Sequence, residues 1–132
     1  MLVIVQQAVG AGWYTLFGDA WMNSLGFVIS DFDNVGSIQY GISMVLSLIL
    51  TYGMARFWLA LGTKDAARGA VQGVILWLTF IVSYQGVHTA FEQISDAAIL
   101  DPANWIQAGI DTGMSLVVFV LNGAVLAGWR KE

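Results

Sequence analysis

Gly69-Ala-Val-Gln-Gly-Val-Ile-Leu-Trp-Leu-Thr-Phe-Ile-Val82 decides the fold, together with its continuation through Tyr84, Gln85 and His88 to Phe91 and Glu92. From Gly69 to Phe91 the run carries no acid and no Lys or Arg. As a helix it covers about 34 Å at 1.5 Å per residue, enough for a hydrocarbon core of about 30 Å. Arg68 marks one end, and Glu92 with its acidic neighbours marks the other. This reads as a membrane span, and three more apolar segments arrange themselves around it.

Composition supports the bilayer as solvent. The chain has 132 residues, 58% of them hydrophobic and 11% charged. A soluble domain carries about 25% charged residues, and a small one buries too little surface to hide so much apolar side chain. There is no cysteine, so disulfides and thiolate metal sites are excluded. A formal net charge of -4 argues against a nucleic-acid partner, which requires a basic surface. The opening Met1-Leu-Val-Ile-Val5 lacks the basic region of a secretory signal and reads as part of a first span.

The expected architecture is an all-α membrane protein with four transmembrane helices in a single domain, residues 1–132. The spans are placed at about 2–17, 39–61, 69–91 and 103–129. The first is short, which local thinning or an upstream chain start would accommodate. A short interfacial helix is expected over Asp19–Gly26, capped by Asp19, with Trp21, Met22 and Leu25 on its apolar side. The following loop holds Asp31, Asp33 and Asn34 but lacks a calcium-loop pattern. Gly62–Arg68 reads as a tight hairpin, and Asp101-Pro102 as the cap and first turn of the last helix.

Charge orders these spans. With four passes, Arg56, Lys64, Arg68, Arg130 and Lys131 all fall on one side. Asp19, Asp31, Asp33, Glu92, Asp96, Asp101 and, at its edge, Asp111 fall on the other. Basic excess in short loops marks the cytoplasmic side, so both termini are expected inside a multi-pass protein of the cell's inner (plasma) membrane. Trp13, Trp21 and Trp105 are expected at the outer boundary, Trp58 and Trp129 at the inner one, and Trp77 in the interior.

Gly12-Trp-Tyr-Thr-Leu-Phe-Gly-Asp-Ala-Trp-Met22 resembles the opening signature of a small bacterial membrane family, the domain of unknown function family 1761. The positions that carry it are Trp13, Tyr14, Phe17, Gly18, Ala20, Trp21 and Met22. Ala67–Trp77 is similar to that family's glycine-rich third span, and Phe91-Glu92 and Ile110-Asp111 also match. Asp19 departs from it, standing where the family often carries a basic residue. The resemblance covers nearly the whole chain. It implies a four-helix integral membrane protein and no assigned activity.

Ionisable groups within membrane spans are costly, so each raises a functional question. His88 lies 20 residues beyond Arg68, and Asp111 19 residues before Arg130. Antiparallel helices put them at similar depth, roughly 30 Å from the inner basic residues. Glu92 is one turn beyond His88, and Gln85 borders the same face. A polar cluster of His88, Glu92, Asp111 and Gln85 is the candidate site. Its bland reading, a hydrogen-bond lock between the third and fourth spans, is preferred to a proton or ion site. A metal site is not expected, since one His with carboxylates falls short of a zinc set. Ser43, Ser47 and Thr51 read as a packing stripe in preference to a polar pathway. Gln72 and Asn122 are buried amides that bond each other or a neighbouring subunit. Gly69 with Gly73, and Gly109 with Gly113, are small-residue motifs for close helix approach.

No nucleophile elbow, phosphate loop or dinucleotide fingerprint is present, and no cofactor is implied. The expected function is therefore non-enzymatic: a structural or accessory membrane protein. Its partners are the lipid bilayer and either further copies of itself, as a homo-oligomer, or another membrane protein in a larger complex. The alternative is a small oligomeric channel or transporter for protons or ions using His88 and Asp111.

Overall fold

The structure is a computed structural model and describes residues 1–33, 35–92 and 101–129, with Glu92 described in its backbone only. The described residues are helical throughout, with no strand. Helix α1 spans Leu2–Leu25 and α2 spans Ser37–Ala60. Helix α3, Ala66–Leu76, passes through a π-helical stretch, Trp77–Val82, into α4, Ser83–Glu92. Helix α5 spans Ile106–Gly128.

Local chemistry sets the ends of these helices. Gly26 stops α1 in the left-handed region at φ 71°, which a glycine adopts without Cβ strain. Gly62, at φ 65°, makes the turn of the hairpin after α2. Asp65 caps α3 by accepting from the Arg68 backbone N–H at 2.8 Å. Asp101 accepts from the Ala103 N–H at 2.9 Å, and Pro102 opens a 3-10 turn, Pro102–Trp105, that leads into α5.

Two features of the first span differ from the sequence reading. There is no break near Phe17 and no separate interfacial helix. Helix α1 continues through Gly18 and Asp19 for 24 residues, and Asp19 is a helix-interior residue instead of a cap. Gly18 does not end the helix because nothing there requires a positive φ and the aromatic side chains bridge it. Trp13 stacks on Phe17 at 4.6 Å, and Tyr14 meets Trp21 edge-on at 5.5 Å. Beyond Gly26 the chain makes a 3-10 turn, Ile29–Phe32, and folds back so that Phe27 and Phe32 pack on Trp21 at 6.1 and 6.2 Å. Asp31 accepts from the Val28 N–H at 2.8 Å, so its carboxylate shapes this turn. Asn34 lies outside the described residues.

The second difference is the number of strongly apolar helices. Three, not four, are long and apolar enough to cross a membrane: Ser37–Ala60, Ala66–Phe91 and Pro102–Gly128. Helix α1 has the length, but Gln6, Gln7, Tyr14 and Asp19 dilute its hydropathy.

The helices alternate in direction. Gly69 faces Gly123 and Gly73 faces Phe119, so α3 runs antiparallel to α5, in the most extensive contact of the fold. Gln6 meets Asn122 and Tyr14 meets Asp111, so α1 is also antiparallel to α5. Met1, the 61–65 hairpin and Trp129 therefore share one end of the bundle. The core is small, built from Met54, Trp58, Phe119 and Ala127, with Leu50, Leu76, Trp77, Ile81 and Leu126 packed against it. Trp58, expected in an interfacial belt, is 0% exposed and fills this core at the hairpin end.

The described chain exposes 8793 Å². A soluble protein of 14.3 kDa exposes only about 6,800 Å². Large apolar side chains contribute to it: Ile38, Val45, Leu46, Ile49 and Tyr52 of α2 are each more than half exposed. Lipid is the medium that covers such a surface without penalty, and the chain is an integral membrane protein.

The π stretch has a physical reason. Gly69, Gly73, Trp77, Ile81, Gln85 and Thr89 recur every four residues, and all are buried or half-buried. An α-helix of 3.6 residues per turn drifts about 40° with every four residues, so this stripe would wind off the packed side. The wider π turn takes the drift back. Trp77 anchors the stretch, its Nε1–H donating to the Thr112 carbonyl at 2.7 Å and to Ser115 Oγ at 3.1 Å.

Candidate functional site

The polar side chains of the helical layer meet along the seam where α1 lies against α2 and α5. Gln6, 3% exposed, sits at the hairpin-end half of that seam. Its Nε2 donates to Thr51 Oγ1 of α2 at 2.7 Å and to Asn122 Oδ1 of α5 at 2.9 Å, so one amide ties three helices. Asn122 is 0% exposed, and its Nδ2 is buried without a hydrogen-bond partner among the described residues. Next along α1, Gln7 Nε2 donates to Ser47 Oγ at 3.0 Å, and Ser43 Oγ donates to Gln7 Oε1 at 3.2 Å. The Ser43–Ser47–Thr51 stripe thus meets Gln6 and Gln7. The packing reading of that stripe describes it, and Gln6 and Gln7 of α1 are its counterpart.

At the far end of the seam, Tyr14 Oη donates to Asp111 Oδ1 at 2.7 Å. Gln107 Nε2 approaches Asp111 Oδ2 at 3.4 Å. Trp13 Nε1–H donates to the Ile110 carbonyl at 3.0 Å, and its ring covers Gly113, where an added Cβ would stand 2.8 Å from Cζ2. Between these ends a cavity of about 560 Å³ opens beside α1 and α2, floored by Met114, Val118 and Phe119 of α5.

The expected cluster is distributed differently. Asp111 is half-buried; its partners are Tyr14 of α1 and Gln107 one turn earlier on its own helix α5, and His88 is not among them. His88 is exposed on α4, its ring 6.0 Å from that of Tyr84, in a shallow surface hollow with Val87 and Phe91. Gln85 is half-buried on the four-residue stripe, away from that hollow. The Glu92 side chain lies outside the described residues. Among the described residues no three His, Asp or Glu side chains gather as metal ligands.

The amides Gln72 and Asn122 do not bond each other. Gln72 Oε1 accepts from Thr63 Oγ1 at 2.9 Å, closing the hairpin onto α3, while Asn122 turns to Gln6. The glycine motifs also separate. Gly69 and Gly73 serve contact within the chain, against α5, but their partner is Gly123 with Phe119 and Ala127. Gly113 receives Trp13, and Gly109 faces open space. The signal for Gln6 was its position, one polar residue among apolar ones at the depth of Thr51. Sequence alone gave no way to tell which helix it faced.

Two of the stretches that carry the resemblance, far apart in sequence, meet in space. Trp13 and Tyr14 land on Ile110, Asp111 and Gly113, while Phe17 and Trp21 build the aromatic cap beside them. No curated protein and no solved structure matches the chain. The family described as Protein of unknown function (DUF1761) matches residues 2–127, nearly the whole length, and the chain belongs to that family.

Proposed function

We propose that the chain is a non-enzymatic structural or accessory protein of a bacterial inner membrane, working as a homo-oligomer or as a subunit of a larger membrane complex. In this reading α1 is a fourth pass. Its 24 residues measure about 36 Å, and it runs antiparallel beside α2 and α5, at their depth. Both termini then share the basic end, which the positive-inside rule makes cytoplasmic.

The observation that carries the reading is how the polar groups of the helical layer are used. Gln6, Gln7, Ser43, Ser47, Thr51, Tyr14, Asp111, Trp77 and Ser115 all bond to one another or to backbone across helices. Groups engaged in this way hold helices together and do not form a string of open sites for a moving ion.

Native mass spectrometry of the chain, extracted in mild detergent from its own membrane, tests the proposal. Integer multiples of the chain mass, or co-migration with a second membrane protein, are the expected results. A monomer that conducts ions in liposomes would overturn it.

A further inference from the structure

The cavity beside α1 and α2 has the dimensions and chemistry of a lipid site. On α2 it extends from Gln39 to Leu50, about 16 Å along the helix axis. That is about half of a 30 Å hydrocarbon core, the depth of one leaflet. It begins at the end of the bundle that carries Asp19, Asp31 and Asp33, and it stops near mid-bilayer. Its floor is apolar: Leu50, Met114, Val118 and Phe119. Its mouth and one wall carry hydrogen-bonding groups from Gln39, Tyr40, Gln7, Ser43 and Ser47, and no charged residue lines it.

The wall keeps unused bonding capacity. The Gln7 amide has two N–H donors and spends one on Ser47. Gln39 Oε1 accepts from the Gly36 N–H at 2.9 Å, a bond that does not use its NH₂. In hydrocarbon, with no water to take them, such donors favour an acceptor on whatever fills the groove. A neutral wall with donors near the mouth and an apolar floor beneath matches an uncharged head followed by a hydrocarbon tail.

We infer that this groove holds one chain of a neutral glycerolipid of the leaflet at the acidic end. The ester and hydroxyl oxygens of the head meet Gln39, Tyr40 and Gln7, and the tail lies over Met114, Val118 and Leu50. The inference rests on α1 and α2 both crossing the bilayer, as proposed above.

The test uses the full chain in phosphatidylcholine nanodiscs containing a diacylglycerol with a diazirine on one acyl chain. After photolysis, peptide mass spectrometry maps the adducts. Adducts on Ala11, Leu50 and Met114 should exceed those on the outward-facing Leu48 and Tyr52 about fivefold, the ratio that a local preference of roughly 1 kcal/mol produces. Ala11→Trp fills the groove and should erase that excess, while Leu48→Trp leaves it unchanged; the thermal midpoint of each variant reports that it is folded. Equal labelling of Ala11 and Leu48 would overturn the inference, as would equal enrichment with the matching phosphatidylglycerol probe. Disulfide pairing of Ser43→Cys between two chains, with no adducts in the groove, would assign the groove to a second copy instead. Sidedness labelling of single-cysteine variants at Leu2 and Ser24, near the two ends of α1, separates the two levels. If both label from the same side, the four-pass reading fails. If they label from opposite sides without groove adducts, only the lipid inference fails.

Discussion

Gly69 and Gly123 cross backbone against backbone: a Cβ added to either would fall onto the carbonyl oxygen of the other. Helices α3 and α5 can approach this closely only because both positions lack a side chain. In a membrane, where lipid tails are as apolar as Leu, such close packing is itself the main force between helices. Gly69→Leu should therefore separate the two helices and cost more than the roughly 1–3 kcal/mol typical of overpacking, because the obstruction is backbone. Gly12→Leu, where an added Cβ meets nothing, is the control and should be near neutral. Thermal denaturation in detergent distinguishes them.

The Gln6–Asn122 bond can be measured by a double-mutant cycle. Gln6→Leu and Asn122→Leu should each destabilise the fold, and the coupling between them should be about 0.5–1.5 kcal/mol, the span found for hydrogen bonds between membrane helices. A coupling indistinguishable from zero would mean that the amides are placed together without holding α1 to α5.

Tyr14 and Asp111 form the other tie of α1. Tyr14→Phe removes the donor at 2.7 Å and leaves a half-buried carboxyl with Gln107 alone. A loss of about 1–3 kcal/mol is expected, the cost of stranding a buried polar group. Asp111→Asn keeps an acceptor for the tyrosine and should cost less. Reversal of that order in unfolding titrations would count against the bond as a structural tie.

The π stretch predicts that the helix face survives a one-residue deletion. Deleting Thr79, an exposed residue within Trp77–Val82, should restore regular α-helix and leave everything after it on the same face, because the wider π turns accommodate about one residue more than α turns do. The contact of Gly69 and Gly73 with α5 lies before the deletion and should survive. Thr89 should stay on the buried side. Because the chain has no cysteine, single cysteines at positions 84, 88 and 89 report this directly by maleimide labelling. In the parent and in the deletion variant alike, position 89 should label slowest; a gain of reactivity at 89 in the deletion variant would count against the π stretch as the place where the extra residue is absorbed.

The candidate residues show where sequence reading reached and where it stopped. The stripe Ser43, Ser47 and Thr51 was recognisable as a contact surface because its spacing is a helix property. The depth match between His88 and Asp111 was arithmetic on helical rise, but depth says nothing about rotation. Asp111 turns to Tyr14 on α1, and His88 lies on the exposed side of α4. The π stretch between Arg68 and His88 changes that rotation, and no residue in Trp77–Val82 announces it. The continuity of α1 was also hidden. Gly18 and Asp19 resemble a helix end locally, and they are overruled by aromatic contacts between Tyr14, Trp21, Phe27 and Phe32 across that point.

By itself the sequence determined the solvent and the class: a chain 58% hydrophobic and 11% charged, with long apolar runs, becomes a helical membrane protein, because every backbone group in lipid must be bonded within its own helix. It also determined the caps at Asp65 and Asp101 and the hairpin at Gly62, where the bonding partners lie within a few residues. Only the tertiary structure decided that Gly69 meets Gly123 in place of Gly113, that Gln6 holds Asn122, and that Asp111 belongs to Tyr14. Each of those pairings depends on how one helix is rotated against another, a degree of freedom that neither hydropathy nor spacing records.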